Sequence, residues 1–97
     1  MTTRIYLYPY AGPGGRNYLR QLGTLEAISQ AGLHLREGAC LNFWTDDAND
    51  QGEPDELFFE GTVHYDSEQA SWYVIIDEKT YRHKSDETSG KTQLLPE

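Results

Sequence analysis

The chain has 97 residues, of which 8 are Lys or Arg and 16 are Asp or Glu, so its net charge is −8. This length predicts a single domain, and the charge argues against direct binding to nucleic acid or to an anionic membrane surface, since both need a basic stripe. The single cysteine, Cys40, excludes an internal disulfide. Because no apolar run resembles a signal peptide or a bilayer span, the sequence predicts a cytoplasmic protein.

The first predicted element is a β-strand over 4–10, which reads RIYLYPY. Three tyrosines alternate along it and so share one face: Tyr6, Tyr8 and Tyr10. Ile5 and Leu7 lie on the other face. The segment AGPGG that follows is rich in glycine and proline, and we expect a turn there.

A short α-helix is predicted over 24–31, with a helical turn before it at about 16–22. Four apolar residues recur at every third position and suit one side of a helix: Leu19, Leu22, Leu25 and Ile28. Thr24 is a favourable N-cap, and Gly32 stands where a C-terminal glycine cap belongs. We therefore expect one helix with a single buried apolar side.

Beyond Leu33 the pattern changes to strands with alternating faces. Three strands are expected, over 39–44, 57–65 and 72–77. Their inward positions are the alternating set Ala39, Leu41, Phe43, Leu57, Phe59, Gly61, Val63, Tyr65, Trp72, Val74 and Ile76. Gly61 in the middle of a strand predicts a bend or bulge. A one-turn 3₁₀ helix and a last short strand are expected within 78–84, and a flexible polar tail over 86–97.

The order of these elements, from residue 35 to about residue 84, resembles the SH3-like small barrel. The match is carried by the stretches EGACLNFW, FFEGTVHYD and WYVIID, with a G-x-V at Gly61–Val63 ahead of a hairpin. The resemblance implies a mainly β fold built on an SH3-like small barrel of about five strands. The N-terminal strand and the one short α-helix lie outside the match, and we expect one domain over 1–85 in which 1–34 is an N-terminal extension. No element like the ALYDY stretch of signalling SH3 domains follows the acidic loop, so binding of proline-rich peptides is not implied.

The stretch TDDANDQGEPDE, residues 45–56, holds six carboxylates between two predicted strands. From Asp47 its oxygen-bearing side chains alternate and precede Gly52, which resembles the first half of an EF-hand calcium loop, D-x-[DN]-x-[DN]-G. Six side chains are therefore candidate Ca²⁺ ligands: Asp46, Asp47, Asn49, Asp50, Gln51 and Asp55. The twelfth position, which an EF-hand gives to a bidentate glutamate, is Phe58, and strands replace the two helices. The loop is either an incomplete Ca²⁺ site, expected to bind weakly, or a solvated loop.

Other reactive side chains form no pattern that predicts catalysis or a second kind of metal site. Cys40 and His64 could face each other across neighbouring strands, but nothing marks an oxyanion hole, and a strand cysteine is usually a packing residue. The three histidines, His34, His64 and His83, lack the close spacing of a zinc site. GPGG lacks the spacing of a phosphate-binding P-loop. We therefore expect a protein that is not an enzyme.

Aromatic side chains on faces opposite the expected core offer a candidate partner-binding surface. Six residues belong to it: Tyr6, Tyr8, Tyr10, Trp44, Phe58 and Tyr73. The alternative is that the helix covers Trp44 and Phe58 and forms a second small core. An aromatic patch ringed by carboxylates favours a non-enzymatic interaction or regulatory module that binds a basic protein surface or a second copy of itself. The alternatives are a Ca²⁺-binding protein that uses the loop 46–56 and an acidic mimic of nucleic acid.

Overall fold

A computed structural model describes residues 3–10 and 12–86, so the polar tail predicted over 86–97 lies outside the described residues except at its first position. The fold is mainly β, and its strands form one curled sheet, a half-barrel. In chain order the elements are β1 (Arg4–Tyr6), a 3₁₀ turn (Pro13–Gly15), β2 (Arg16–Tyr18), α1 (Leu22–Ala31), β3 (Cys40–Thr45), β4 (Leu57–Asp66) and β5 (Ser71–His83). The predicted mainly β fold with one short α-helix is therefore confirmed. No helix within this part of the chain is long and apolar enough to cross a membrane.

The two N-terminal strands lie at opposite edges of the sheet. β3, β4 and β5 form its centre as an antiparallel meander, and the strand order is β1-β3-β4-β5-β2. β1 pairs with β3 in parallel, with Tyr6 beside Trp44, whereas β2 pairs antiparallel with β5, with Tyr18 beside Tyr73. The N-terminal segment thus completes both edges of the meander.

The inner face of the sheet carries the core. Seven buried apolar residues form one cluster: Ile5, Leu7, Leu19, Phe43, Phe59, Val63 and Val74. Phe43 stacks on Phe59 across the β3–β4 pair, with the ring centroids 5.7 Å apart. The strand residues of this cluster occupy the inward positions that alternation predicts, because a period of two places every second side chain on the same face.

Gly61 lies where β4 and β5 approach closely. A Cβ added to it would collide with Val74 Cγ1 and would stand 2.9 Å from the carbonyl oxygen of Ile75. The inner face has no room for a side chain here, which is the close approach that a glycine inside a strand indicates. The predicted irregularity lies next to it, as a register shift between Phe58 and Glu60.

β5 runs unbroken through its last residues, so the predicted 3₁₀ helix and separate short strand are wrong. At the register shift one residue of β4, Phe59, faces the four residues 78–81 of β5. The Thr80 hydroxyl accepts a hydrogen bond from the Glu60 N–H at 2.9 Å and donates one to the Asp77 carbonyl. This side chain closes the bulge, so the strand continues where a helical turn was expected.

α1 begins two residues before the predicted start and ends at the predicted glycine cap. Gly32 adopts the left-handed conformation, with φ of 67°, and its N–H donates to the Ser29 carbonyl at 3.1 Å. The prediction of Thr24 as N-cap is wrong, because Thr24 lies inside the helix and is fully buried. Its hydroxyl donates to the Tyr6 carbonyl at 2.6 Å, which fastens the helix to the edge strand β1.

The apolar residues spaced by three do not share one buried face. Leu22 and Leu25 are 71% and 47% exposed, whereas Leu19 and Ile28 contact the core. The helical turn predicted at 16–22 is also wrong, because β2 and the residues that lead into α1 occupy this segment. A spacing of three indicates a common face only within one helix, and Leu19 precedes the helix.

Candidate functional site

The acidic loop between β3 and β4 is a closed hairpin. A β-bridge joins Ala48 to Pro54 across its base. Asn49 holds the tip, since its Oδ1 accepts hydrogen bonds from the N–H groups of Gln51 and Glu53, both at 2.9 Å. The side-chain oxygen of Asn49, one of the candidate Ca²⁺ ligands, is thus engaged in closing the turn.

Two residues at the end of β5 and just beyond it brace this hairpin. His83 Nε2 lies 2.7 Å from Asp47 Oδ2, and this hydrogen bond raises the pKa of His83 and lowers the pKa of Asp47. The hydroxyl and the N–H of Ser85 donate to the two oxygens of Asp55 at 2.6 and 3.0 Å, which lowers the pKa of Asp55. The hairpin is therefore attached to the sheet on both of its arms.

Three carboxylates of the hairpin are left on its exposed side: Asp46, Asp50 and Glu53. Within the described residues, none of the three pairs with a cationic side chain. The part of the chain that the structure describes also contains no group of three or more His, Cys, Asp or Glu side chains that could hold a metal ion. Binding of Ca²⁺ by the loop stays a prediction.

Three of the candidate partner-binding aromatics lie together on the outer face of the sheet. The Tyr6 and Trp44 rings meet edge to face, with centroids 5.1 Å apart. The Arg4 guanidinium lies 3.8 Å above the centroid of the Phe58 ring, and Phe58 is buried. Arg4 thus supplies a cover for Phe58, while the Tyr6 and Trp44 rings are half-buried.

Tyr8 and Tyr10 are the open rings of the predicted tyrosine stripe, being 58% and 75% exposed. β1 and β3 run parallel and leave the sheet at the same end, where the Leu7 N–H donates to the Trp44 carbonyl at 3.0 Å. Tyr8 therefore emerges at the end of the sheet where the acidic hairpin begins. An exposed ring and exposed carboxylates share this end of the molecule.

Tyr73 belongs to a different cluster on the outer face, most of which was not predicted from the sequence. Its ring lies between Tyr18 of β2 and His64 of β4, with centroids 5.5 Å from each. The guanidinium of Arg16 lies 4.5 Å over the Tyr73 ring, and that of Arg20 lies 4.6 Å over the Tyr18 ring. Arginines two residues before and two residues after a tyrosine, in RNYLR, were the available signal, since alternate residues of a strand share a face.

Asp66 and Ser71 at the β4–β5 turn orient these arginines. Asp66 Oδ2 accepts hydrogen bonds from the Tyr18 hydroxyl at 2.7 Å and from Arg16 Nη1 at 3.1 Å. The hydrogen bond from Tyr18 is the main cause that lowers the pKa of Asp66. Arg20 Nε donates to the Ser71 hydroxyl at 3.2 Å. Both arginines are therefore fastened to the same turn.

Cys40 and His64, the pair considered for catalysis, contact different groups in the fold. Cys40 is exposed and stands beside Thr62 in the β3–β4 ladder. His64 Nδ1 instead pairs with Glu37, and its ring contacts Tyr73. Among the residues that the structure describes, no hydrogen bond joins Cys40 to His64, so the geometry brings the histidine to a carboxylate and not to the thiol.

Comparisons with known proteins supply no relative from which a function could be transferred. No protein-family model matches the chain, and no curated protein or solved structure matches it either.

Proposed function

We propose that the protein is a small non-enzymatic interaction module that docks a basic partner surface against its acidic hairpin, residues 46–56. The observation that carries this proposal is the bracing of the hairpin by His83 and Ser85. The braced loop presents exposed carboxylates that have no cationic partner among residues 3–10 and 12–86. Fixed groups lose less conformational entropy on binding than mobile ones. Complementary charge also speeds association and makes it sensitive to salt.

Tyr8 supports the same surface with an aromatic contact. Its ring is exposed, and its backbone is held on both sides by the Gln21 amide, which accepts from the Tyr8 N–H and donates to the Tyr8 carbonyl, both at 2.9 Å. Tyrosines are enriched at interfaces because they bury a large area at little entropic cost. A partner with basic and apolar side chains fits this end of the sheet.

The scaffold in this proposal is an SH3-like small barrel within one cytoplasmic domain over 1–85. The β3–β4–β5 meander supports it, with a long polar loop after its first strand and a register shift in its second. Barrels of this type host many unrelated functions, so the scaffold adds no information about the partner.

A pull-down from cell lysate at low and at high salt tests the proposal. The test variant neutralises the exposed hairpin carboxylates with Asp46→Asn, Asp50→Asn and Glu53→Gln, and leaves the bracing bonds in place. The matched control removes equal charge elsewhere with Glu26→Gln, Glu68→Gln and Glu78→Gln. We expect a partner that wild type and control capture at low salt, and that the hairpin variant does not capture. Equal capture by the hairpin variant, or no partner at either salt concentration, would contradict the proposal.

The alternative for the same loop is weak Ca²⁺ binding, which its alternating oxygen donors from Asp47 to Gln51 support. Ca²⁺ would have to compete with His83 for Asp47 and with the turn for Asn49. We expect affinity no tighter than about 10⁻⁴–10⁻³ M. Amide resonances over 47–55 should shift saturably on Ca²⁺ titration in NMR, and Asp47→Asn should weaken the response. Loop resonances that do not move at several millimolar Ca²⁺ would rule this alternative out.

A further inference from the structure

A groove beside β2 lies along the edge where β2 pairs with β5, and it reaches the turn between β4 and β5. One of its lining residues, Gln21, also bonds the backbone of Tyr8. A cleft of about 270 Å³ opens there, and its lining includes Tyr10, Arg16, Tyr18 and Arg20. A second cleft of about 490 Å³ shares Arg16 and Tyr18 and extends the groove to Gln69. Two of the chain's 8 cationic side chains therefore converge on one groove, although the chain carries a net charge of −8.

Hydrogen bonds hold the walls of the smaller cleft in place. The Tyr10 N–H donates to Asn17 Oδ1 at 2.8 Å, and Asn17 is itself buried. Gln21, which also lines this cleft, is fixed by the two bonds between its amide and the Tyr8 backbone. Because the walls of the cleft are already ordered, little conformational entropy is lost when a ligand binds.

Both guanidinium groups are oriented, yet both keep hydrogen-bond donors for a ligand. Arg16 uses Nη1 on Asp66 and Tyr18, whereas its Nε and Nη2 have no acceptor among residues 3–10 and 12–86. Arg20 uses Nε and Nη2 on Ser71 and Gln69, and its Nη1 is likewise without an acceptor in that part of the chain. A guanidinium carries five N–H donors in a planar fork that matches the geometry of a carboxylate.

The charge and the size of the cleft specify the ligand further. The side chains that line the two clefts, together with the carboxylate bonded to them, carry two positive charges, on Arg16 and Arg20, and one negative charge, on Asp66. Their sum of one positive charge suits a monoanion better than a phosphate dianion. Small-molecule pockets usually have about 300–1,000 Å³. The cleft, at about 270 Å³, lies just below that range and has room for one acidic side chain. The rings of Tyr10 and Tyr18 offer apolar walls for the aliphatic part of such a side chain.

We propose that this cleft is a second binding site, which takes the carboxylate of an acidic side chain on a partner peptide between Arg16 and Arg20. The site is separate from the acidic hairpin, and its occupation does not depend on the function proposed for the hairpin. The adjoining larger cleft gives the peptide backbone a path along β2 towards Gln69. A partner that is basic at one point and acidic at another would contact both the hairpin and the cleft.

NMR titration with a blocked peptide that contains one glutamate tests this site, with the same peptide carrying glutamine as the matched probe. Both are compared at constant ionic strength. The glutamate peptide should saturably shift the amides of Tyr10 and Tyr18 and the Nε–Hε resonances of Arg16 and Arg20, and the glutamine peptide should not. Arg20→Gln should weaken binding about tenfold or more, because charge-assisted hydrogen bonds are lost. Arg36→Gln, a change at an exposed arginine between α1 and β3, should bind like wild type.

Several outcomes would overturn the proposal. Equal shifts with the glutamine peptide, or unchanged affinity in Arg20→Gln, would mean that the cleft does not recognise a carboxylate. Saturable binding of inorganic phosphate without a response to the glutamate peptide would assign the cleft to free anions.

One further outcome would support the proposal. Shifts at the cleft that depend on protein concentration without peptide, and that are abolished in the hairpin variant, would identify a second copy as the acidic partner.

Arg20 also fastens the β4–β5 turn, so a loss of binding has to be separated from a loss of structure. The melting temperature of Arg20→Gln is measured for this purpose. Arg20→Lys keeps the charge but not the planar fork, and it should fold like wild type while binding the glutamate peptide more weakly. Binding of the peptide by Arg20→Lys as tightly as by wild type would contradict the proposal that the guanidinium recognises the carboxylate.

Discussion

At Gly61 the missing side chain sets how closely β4 can approach β5. The Val74 side chain and the Ile75 carbonyl fill the space that a Cβ would need. Neither neighbour is the free end of a flexible chain, so a substitution there has to move the backbone of the sheet. Such a substitution overpacks the core, and overpacking typically lowers the free energy of unfolding by about 1–3 kcal/mol.

We predict that Gly61→Ala lowers the free energy of unfolding by about 1–3 kcal/mol in urea denaturation. Gly12→Ala is the matched control, because a Cβ there would stand at 3.5 Å from the Arg16 carbonyl, an ordinary contact distance. An unchanged urea midpoint for Gly61→Ala would show that the two strands have more room than the structure indicates.

His83 couples the acidic hairpin to pH. Its hydrogen bond to Asp47 raises its folded pKa above the unfolded value of about 6.5. The stabilisation is therefore complete below that unfolded value and is lost as the pH rises through the raised folded pKa. The pKa of Asp47 is lowered in the folded state. Its contribution to stability is therefore present above its unfolded pKa and is lost as the pH falls through the lowered folded pKa.

We predict that the stability difference between wild type and His83→Gln decreases as the pH rises from about 6.5 through the raised pKa of His83. Urea unfolding of both proteins across this range measures the difference, and the comparison cancels the titration of the other groups. The Asp55 amide donates to the Asp47 carbonyl at 2.9 Å, and its protection factor in hydrogen exchange, which is corrected for the intrinsic effect of pH, should fall over the same range. A difference that does not change with pH would show that the His83–Asp47 bond does not hold the hairpin.

At the scale of elements, one polar side chain, Thr80, allows β5 to continue as a strand where a helical turn was predicted. The bulge leaves four residues of β5 opposite one residue of β4, and Thr80 bonds both to the Glu60 N–H and to the Asp77 carbonyl. These bonds satisfy a donor and an acceptor that the interrupted ladder would otherwise leave free. A polar stretch can therefore continue a strand when its side chains supply the missing bonds.

We predict that Thr80→Val destabilises the protein by about 1–2 kcal/mol, because the Glu60 N–H loses its acceptor. Thr80→Ser keeps the hydroxyl and should stay close to wild type. Hydrogen exchange at the Glu60 amide should accelerate in the valine variant and not in the serine variant. Full protection of that amide in Thr80→Val would mean that another acceptor closes the bulge.

At the scale of the whole molecule, the net charge of −8 opposes the compact state through self-repulsion. Local ion pairs work in the other direction, as between Arg16 and Asp66, 3.1 Å apart. Salt screens both effects, but exposed pairs contribute little, so relief of the repulsion should dominate.

We predict that the urea midpoint rises when NaCl is increased from about 0.05 M to about 0.5 M, where the screening length becomes short. The hairpin variant, which carries three fewer negative charges, should show a smaller rise. A midpoint that falls with salt would mean that ion pairs outweigh the repulsion.

The sequence by itself determined the mainly β class, the inner and outer faces of the strands and the end of α1. Alternation assigns Phe43, Phe59 and Val74 to the core, and Gly32 stops the helix through its left-handed conformation, since both effects act over a few neighbouring residues. The acidic loop could also be recognised, because its composition is local.

Only the tertiary structure decided which distant groups meet. β2 could not be recognised, because a three-residue edge strand is defined by its pairing with β5, more than fifty residues away. The sequence pattern around Thr24 predicts an N-cap, but in the fold its hydroxyl donates to the Tyr6 carbonyl of β1. Arg16 and Arg20 form a site only because they meet tyrosines and the turn after β4. The sequence places six carboxylates in one loop, but their division into bracing and exposed groups depends on His83 and Ser85, about thirty residues further along the chain.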